Sequence, residues 1–409
     1  MRLRVALFGV AVLMSGSSTF AIPAPPARHR NSAAPPGHPS VRPNAGQLVS
    51  LYAFKGQPDG SSPQGGVVID AAGNIFGTTQ SGGSTNDGSV YELQPSGSTY
   101  TEQVILSYSV SDGDQPVATP AMDSAGDIFS IAPTGGKSDW GTVVKLQPTG
   151  KGKYRKAAFH AFDVTDGATP EGIIRAGSVF YATTYFGGAS NAGTIVSIKG
   201  AHLKPTVLYS FGKNGSGFFP DWRLAPGSRG TYFGTTASAP ASGSGTVFKF
   251  TPSQTPPVST LFTFATASQG QIPNGVVPAK NGDLFGTTQQ GGSTGLGVLY
   301  KLSAGKSGYT EQILHTFTGA NGDGEYPRGT LVLVGNTLYG TTTGGGSMAS
   351  GTIFQVQTSG NGYAVMYSFK NSSDGASPLG DLLLSNGALY GVSAAGGPGG
   401  GGVAWKFIP

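Results

Sequence analysis

The segment "GNIFGTTQSGGSTNDGSVYEL" (residues 73–93) is written seven times with variation. Its aromatic returns as Phe76, Phe129, Tyr181, Phe233, Phe285, Tyr339 and Tyr390, at intervals of 53, 52, 52, 52, 54 and 51 residues. A fixed period of this size marks a repeat architecture, in which each unit buries its apolar faces against its neighbours. Every copy holds four strand-like runs. In the first they are "GGVVIDA", "NIFGTT", "GSVYEL" and "YTEQVILSYSV", separated by the turn residues "AAGN", "QSGGSTND" and "QPSGS". Four short antiparallel strands in a unit of about fifty residues describe a propeller blade. A solenoid coil is shorter, and a sandwich has no need of seven equal units. The expectation is an all-β chain, a seven-bladed β-propeller over residues 47–409 with four antiparallel strands per blade.

The copies also say how the ring closes. Copies one to six end in an outer strand such as "VLYSF" (207–211) or "VMYSF" (365–369), whereas copy seven stops at "VAWKFIP". The missing strand stands at the other end of the chain as "LVSLYAF", residues 48–54. It is expected to complete blade seven and so remove an open sheet edge. The residue after each marker aromatic is always small: Gly77, Ser130, Ala182, Gly234, Gly286, Gly340 and Gly391. A small residue in mid-strand predicts the close approach of another backbone.

Composition enters through three numbers. The 409 residues include 68 Gly and 28 Pro, which without periodicity suggests disorder, but here both fall between aromatic and β-branched clusters. Cys is 0, which excludes thiol catalysis, cysteine metal sites and disulfides, so stability must come from the core and from closed edges. The net charge of +5 resides in Arg2, Arg4, Arg28, Arg30 and Arg42; residues 47–409 carry 20 basic and 20 acidic side chains. A neutral propeller gives no case for nucleic acid or an anionic membrane as partner. The N-terminus reads as a secretory signal, with a basic start, the apolar run "VALFGVAVLM" and cleavage after Ala21. Residues 22–46 are Pro-rich and acid-free, an extended linker. The chain is therefore expected to be a secreted or periplasmic monomer, without a transmembrane segment after signal cleavage.

On "SPQGGVVIDAAGNIFGTT…GSVYEL" and "PLGDLLLSNGALYGVS", the region 47–409 resembles the GloVer tandem-repeat family, the choice-of-anchor repeat proteins of bacterial exports. The blades are also similar to the NHL type, with "DAAGNIF" as the turn from inner to second strand. The resemblance implies an exported β-propeller and supplies no catalytic residues. Many such proteins end in a sorting or anchor segment; "VAWKFIP" is a strand pattern instead.

Motifs that carry chemistry are scarce. His160 and His315 take the place that Tyr52, Tyr209 and Tyr367 hold in other outer strands, which makes them packing variants; His202 sits in a turn region. "GGKS" at 135–138 lacks the earlier glycine and the helix of a phosphate loop, and "GGPGGGG" at 396–402 joins two strands. The Asp-box of sialidase-type propellers is absent. Asn214 and Asn371 stand in glycosylation patterns. No cofactor and no metal are expected. The turn before each inner strand carries Asp59, Asp112, Asp166, Asp323 and Asp374. These could ring one mouth and hold a cation, but Asp-Gly bends a chain and bonds its own backbone, and repetition favours that second reading.

Departures from the repeat are more informative, because packing does not explain them. Blade two adds Trp140, blade three Tyr185 and Phe186, and blade four "GFFPDWR" with Phe218, Phe219, Asp221, Trp222 and Arg223; copy six adds Tyr326 and Arg328. The residue after each turn proline is Gln64, Val117, Glu171, Asp221, Asn274, Arg328 or Leu379, and these are expected to rim the central channel. Aromatics beside carboxylates and arginine suit a sugar ring or another flat ligand. The expected ligand-binding set is Trp140, Glu171, Tyr185, Phe186, Phe218, Asp221, Trp222, Arg223 and Arg328, placed off-centre over blades two to four. The function this favours is a non-catalytic binding or scaffold module for polysaccharide or another cell-surface ligand. An extracellular glycan hydrolase or lyase is the alternative, for which two suitably spaced carboxyl groups are required.

Overall fold

Seven antiparallel sheets succeed one another along the chain. The computed structural model describes residues 46–409, apart from 98, 151, 200–202, 214, 241–242 and 307. The expected signal, nearly all of the linker, His202 and Asn214 lie outside the described residues. Among those described, every regular element is a β-strand. Blade three shows the plan: Ala168–Ala176, Val179–Phe186, Thr194–Ile198 and Pro205–Ser210 pair in that order from axis to rim. Blade six has a similarly long inner strand, Gly324–Val334, and in the other five the inner strand is short or interrupted, as at Val68–Ile69, Ala121–Met122 and Ala225–Pro226.

Blade seven closes as the repeat count requires. Gln47–Ala53 lies antiparallel to Val403–Ile408 as its outermost strand, with Leu48 opposite Phe407 and Ala53 opposite Val403. Phe54 continues the junction: its N–H donates to the carbonyl of Gly402 (3.0 Å), and its carbonyl accepts from Gly401 N–H (3.2 Å). The first and last strands of the propeller are thereby tied together without a disulfide.

The core is divided into seven apolar clusters, one in each seam between adjacent blades. Strand periodicity assigns residues to seams, because successive side chains point to opposite faces of the sheet. In blade five, Leu284 and Tyr300 face blade four, whereas Phe285 and Leu299 face blade six. Each outer strand ends in a buried ring: Phe54, Tyr108, Phe162, Phe211, Phe264, Phe317 and Phe369. Burying one such side chain contributes ~1.5–3 kcal/mol.

The small residue after the marker aromatic has a different cause from the one expected. What approaches it is a side chain on the third strand, directly opposite in register. Gly77, Gly234, Gly286, Gly340 and Gly391 face Tyr91, Phe248, Tyr300, Phe354 and Trp405. A Cβ on Gly286 would stand 2.4 Å from the Tyr300 hydroxyl, and one on Gly391 2.5 Å from the Trp405 ring. In blades two and three the facing residue is Val144 or Val196, and there Ser130 and Ala182 fit. The two positions exchange volume within one layer of the core.

Candidate functional site at the channel mouth

One backbone device, used seven times, builds the mouth. The residue before each turn proline is left-handed: Ser62, Gln115, Thr169, Phe219, Ile272, Tyr326 and Ser377 have φ between 53° and 64°. This conformation costs a non-glycine residue ~1–2 kcal/mol. It is held because each of these N–H groups donates across the seam to a hairpin carbonyl of the preceding blade. Phe219 N–H reaches Ala192 (2.8 Å), Thr169 N–H reaches Trp140 (2.9 Å) and Tyr326 N–H reaches Leu296 (2.9 Å). The proline that follows packs on a glycine of the same hairpin. Pro220 lies on Gly193, where a Cβ would come within 2.5 Å of the proline Cδ and φ is +96°. The device sends the next residues of each blade to the axis.

The axis is crowded. Gly65, Gly172, Gly275, Gly329 and Gly380 stand in five blades at the position two after the proline, and Ala118 in a sixth. A Cβ on Gly172 would sit 2.3 Å from the Cα of Arg223, and one on Gly380 2.5 Å from the carbonyl of Gly65. Blade four alone places a large side chain there, Trp222. One residue further, buried Asp381 gathers donors from around the ring. Its carboxylate accepts from Arg223 Nε (2.6 Å), Thr119 Oγ1 (3.0 Å) and the Thr330 N–H (2.9 Å), while Thr119 Oγ1 accepts from the Gly66 N–H (2.8 Å). Burial opposes the charge, but Arg223 and these hydrogen bonds outweigh it, and the Asp381 carboxyl titrates below its ordinary range. Blades one, two, four, six and seven are thus joined through one axial network.

Above this plug, Gln64, Val117, Glu171, Asp221, Trp222, Arg328 and Leu379 line a cavity of about 70 Å³. Asn274, the seventh residue of this ring, is fully buried instead, with its amide donating to Thr287 Oγ1 and the carbonyl of Pro327 (both 2.8 Å). Arg328 stands over the Trp222 ring at 5.9 Å. The crowding of protein around Asp221 raises its carboxyl to about 6, against the pull of Arg328. Burial, and then the charge of Asp221, hold Glu171 well above the carboxylate range. The Tyr185 hydroxyl is pushed up to about 12, first by burial and then by Asp221 and Glu171, so the ring lies beside these acids.

The aromatic departures form one cluster. Tyr185 stacks on Phe219 (4.9 Å between centroids, 10° between planes), and Phe186 meets both edge-on at 4.8 and 5.4 Å. Phe218 tilts against Phe219 at 6.0 Å and also packs into the seam between blades three and four. All four rings are half-buried. Trp140 is 39% exposed and makes no ring contact among the described residues, so it stands apart. The structure therefore groups Tyr185, Phe186, Phe218 and Phe219, with Tyr185 beside Glu171 and Asp221, and it places Arg223 on the cavity wall with Glu171, Asp221, Trp222 and Arg328 while tying it to Asp381. Phe219 and Asp381 are outside the set expected from sequence. Phe219 is named in the sequence among the blade-four departures, and its place before the proline is what brings it to the mouth; Asp381 takes its meaning only from partners on other blades.

The Asp-Gly turns resolve to turn chemistry. Asp59 accepts from the Tyr52 hydroxyl (3.0 Å) and the N–H of Lys55 (3.0 Å) and Gly60 (2.6 Å). His160 bonds Asp166 at 2.9 Å, and His315 bonds Asp323 at 3.1 Å, in the place of tyrosine. Asp374 takes Tyr367, and Asp112 takes Lys156. No group of side chains suited to a metal occurs among the described residues.

Solved structures share the architecture. The WD40 β-propeller domain of Doa1 is 9% identical, with a TM-score of 0.57, covering 88% of this chain and 96% of that one. The extracellular domain of a hybrid two-component system from B. thetaiotaomicron is 12% identical, with a TM-score of 0.56, covering 89% of this chain. This chain spans only 42% of the length of that domain. No curated protein matches the sequence. The model of the Gloeobacter/Verrucomicrobia repeat matches residues 40–228, 158–321 and 220–409. These matches together run the length of the propeller, and the chain belongs to the Gloeobacter/Verrucomicrobia repeat family.

Proposed function

We propose that this chain is an exported, non-catalytic binding module that holds a neutral saccharide over blades three and four. The observation that carries this reading is the Tyr185–Phe219 stack, with Tyr185 beside Asp221 and Glu171. Aromatic contacts of this kind contribute ~1 kcal/mol each, so binding is weak per contact and relies on several. The polar groups fix orientation. A cavity of about 70 Å³ admits a few waters but no sugar ring, so the ligand lies across the mouth. Export is supported by the N-terminal signal pattern and by the extracellular-domain neighbour.

A glycan array followed by Tyr185→Ala and Trp222→Ala tests the proposal. Each substitution should weaken binding about fivefold while leaving the melting temperature near that of the parent. If both leave affinity unchanged, the site is elsewhere.

A hydrolase remains the second reading, favoured by one observation. Burial raises the carboxyls of both Asp221 and Glu171, and a pair of neighbouring acids with raised affinity for a proton is what glycosidic cleavage needs. Release of reducing ends from array ligands, lost in Glu171→Gln, would establish it; binding without release excludes it for those ligands.

A further inference from the structure

In four blades the third strand carries a lysine opposite the marker aromatic: Lys145 with Phe129, Lys249 with Phe233, Lys301 with Phe285 and Lys406 with Tyr390. In blades two and five the ammonium stands over the ring, at 5.5 and 5.9 Å from its centroid. It closes there on an aspartate two residues before the aromatic, Asp127 at 2.5 Å and Asp283 at 2.9 Å. Blade one inverts this arrangement. Glu92 takes the lysine position opposite Phe76, and Asn74 takes the aspartate position.

Glu92 is 2% exposed, and its Oε2 accepts from Gln94 Nε2 at 3.0 Å. No ammonium or guanidinium among the described residues lies within ion-pair reach of it. A buried carboxylate without a cation is costly, and the other blades show which group belongs beside it. Burial, with Asp70 adding to it and Gln94 working against it, holds the Glu92 carboxyl above its ordinary range. Glu92 also borders the larger cavity of the two described, a groove of about 480 Å³ between blades one and two. Asn74, Gln94, Pro95, Pro148 and Tyr154 form its other walls with the exposed Lys153, which makes no ion pair to Glu92. Tyr154 stands edge-on to Phe76 at 6.0 Å.

We propose that this groove is a second ligand site, which takes a primary ammonium group on a small polar body such as an amino sugar. On the Glu92 carboxylate, beside Phe76, the ammonium completes the charge pair that Lys145 with Asp127 and Lys301 with Asp283 make in blades two and five, with the signs exchanged. The amides of Asn74 and Gln94 serve the hydroxyls, and Tyr154 with the two prolines walls the ring. The site is separate from the mouth and does not depend on the reading given to it.

The test is calorimetric titration of the full chain with D-glucosamine, with N-acetyl-D-glucosamine as the probe that lacks the charge. Saturable binding of glucosamine is expected, with the acetylated sugar at least about tenfold weaker. Glu92→Gln should weaken glucosamine by at least about tenfold while the circular dichroism spectrum is unchanged. Glu92→Lys combined with Asn74→Asp installs the pair of blades two and five; it should abolish binding and raise the melting temperature. The proposal is overturned if the parent shows no saturable binding, if the two sugars bind alike, or if Glu92→Gln binds as the parent does. It is also overturned if binding appears only after Lys153→Ala, because a lysine of the chain itself would then be the occupant.

Discussion

Phe54→Ala isolates the ring closure. The Phe54 ring is wholly buried, tilted against Tyr91 at 4.9 Å and edge-on to Tyr52 at 5.3 Å. Removing a buried phenylalanine costs ~3–5 kcal/mol through lost transfer energy and the cavity left behind. Phe211→Ala removes an equally buried ring at the equivalent place in blade three, so its cost should be similar. The two should differ in where the loss is felt. The strand before Phe211 is joined to its partner by a short connection inside one blade. Gln47–Ala53 is attached to Val403–Ile408 by pairing alone, and nothing in the local chain returns it once it opens. Hydrogen exchange separates the cases. In Phe54→Ala, amides of Val403–Ile408 that face Gln47–Ala53 should exchange ~10²–10³-fold faster, since each 1.4 kcal/mol is tenfold, while those of Thr194–Ile198 hold nearly their parental protection. In Phe211→Ala the slowest amides should lose protection together. A uniform loss around the ring in Phe54→Ala, or no change at 403–408, would refute the argument that this strand is an independently opening latch.

Three further outcomes follow from the core and the axis. Gly286→Ala should destabilise by ~1–3 kcal/mol because its Cβ meets Tyr300, and Tyr300→Val in the same chain should recover part of that cost, as Ala182 with Val196 already shows; a denaturant double-mutant cycle with no coupling would reject it. Asp381→Ala should cost ~3–5 kcal/mol by leaving Arg223 unpaired at the axis, and adding Arg223→Leu should restore part of the loss; additive effects of the two would count against the plug. Glu102 and Glu311 are each raised to about 7, first by burial, and each has an oxygen with no hydrogen-bond partner among the described residues. Their folded pKa exceeds the unfolded value, so stability is full below about 4.5 and falls as pH rises towards 7. Glu102→Gln and Glu311→Gln should therefore leave stability at pH 4 unchanged and add ~1 kcal/mol each at pH 8, the full shift being discounted for their contact with water; no gain at pH 8 would show that burial is not what raises them.

The ring was legible because its determinants are local and repeated. Spacing of Phe76 to Tyr390 counts the blades, alternation assigns seams, and the displaced "LVSLYAF" names the closing strand. The reason for Gly77 and its equivalents was not legible, because Tyr91 and Trp405 become their neighbours only once register is set. At the mouth, the pre-proline aromatics and the blade-four departure stand out in the sequence, and the structure brings Tyr185, Phe186, Phe218 and Phe219 together. The plug was beyond reach, since Thr119 meets Asp381 across 262 residues of chain, and only a closed ring brings them together. Glu92 was overlooked for a related reason. Its meaning depends on what Lys145 and Lys301 do in other blades, and a charge reversal inside a strand reads as an ordinary surface substitution until its burial is known.

The seven left-handed residues before the prolines fix the backbone by φ and by an N–H, and ask little of the side chain. Ser, Gln, Thr, Phe, Ile, Tyr and Ser all serve, and every one but Thr169 reaches solvent. The fold therefore offers seven rim positions whose chemistry can change with little effect on the blades behind them. A library randomised at Ser62, Gln115, Phe219, Ile272, Tyr326 and Ser377 would vary the surface presented around the mouth at nearly constant stability. The same freedom lets a repeat protein acquire a new specificity by single substitutions, one blade at a time, without passing through an unfolded intermediate sequence.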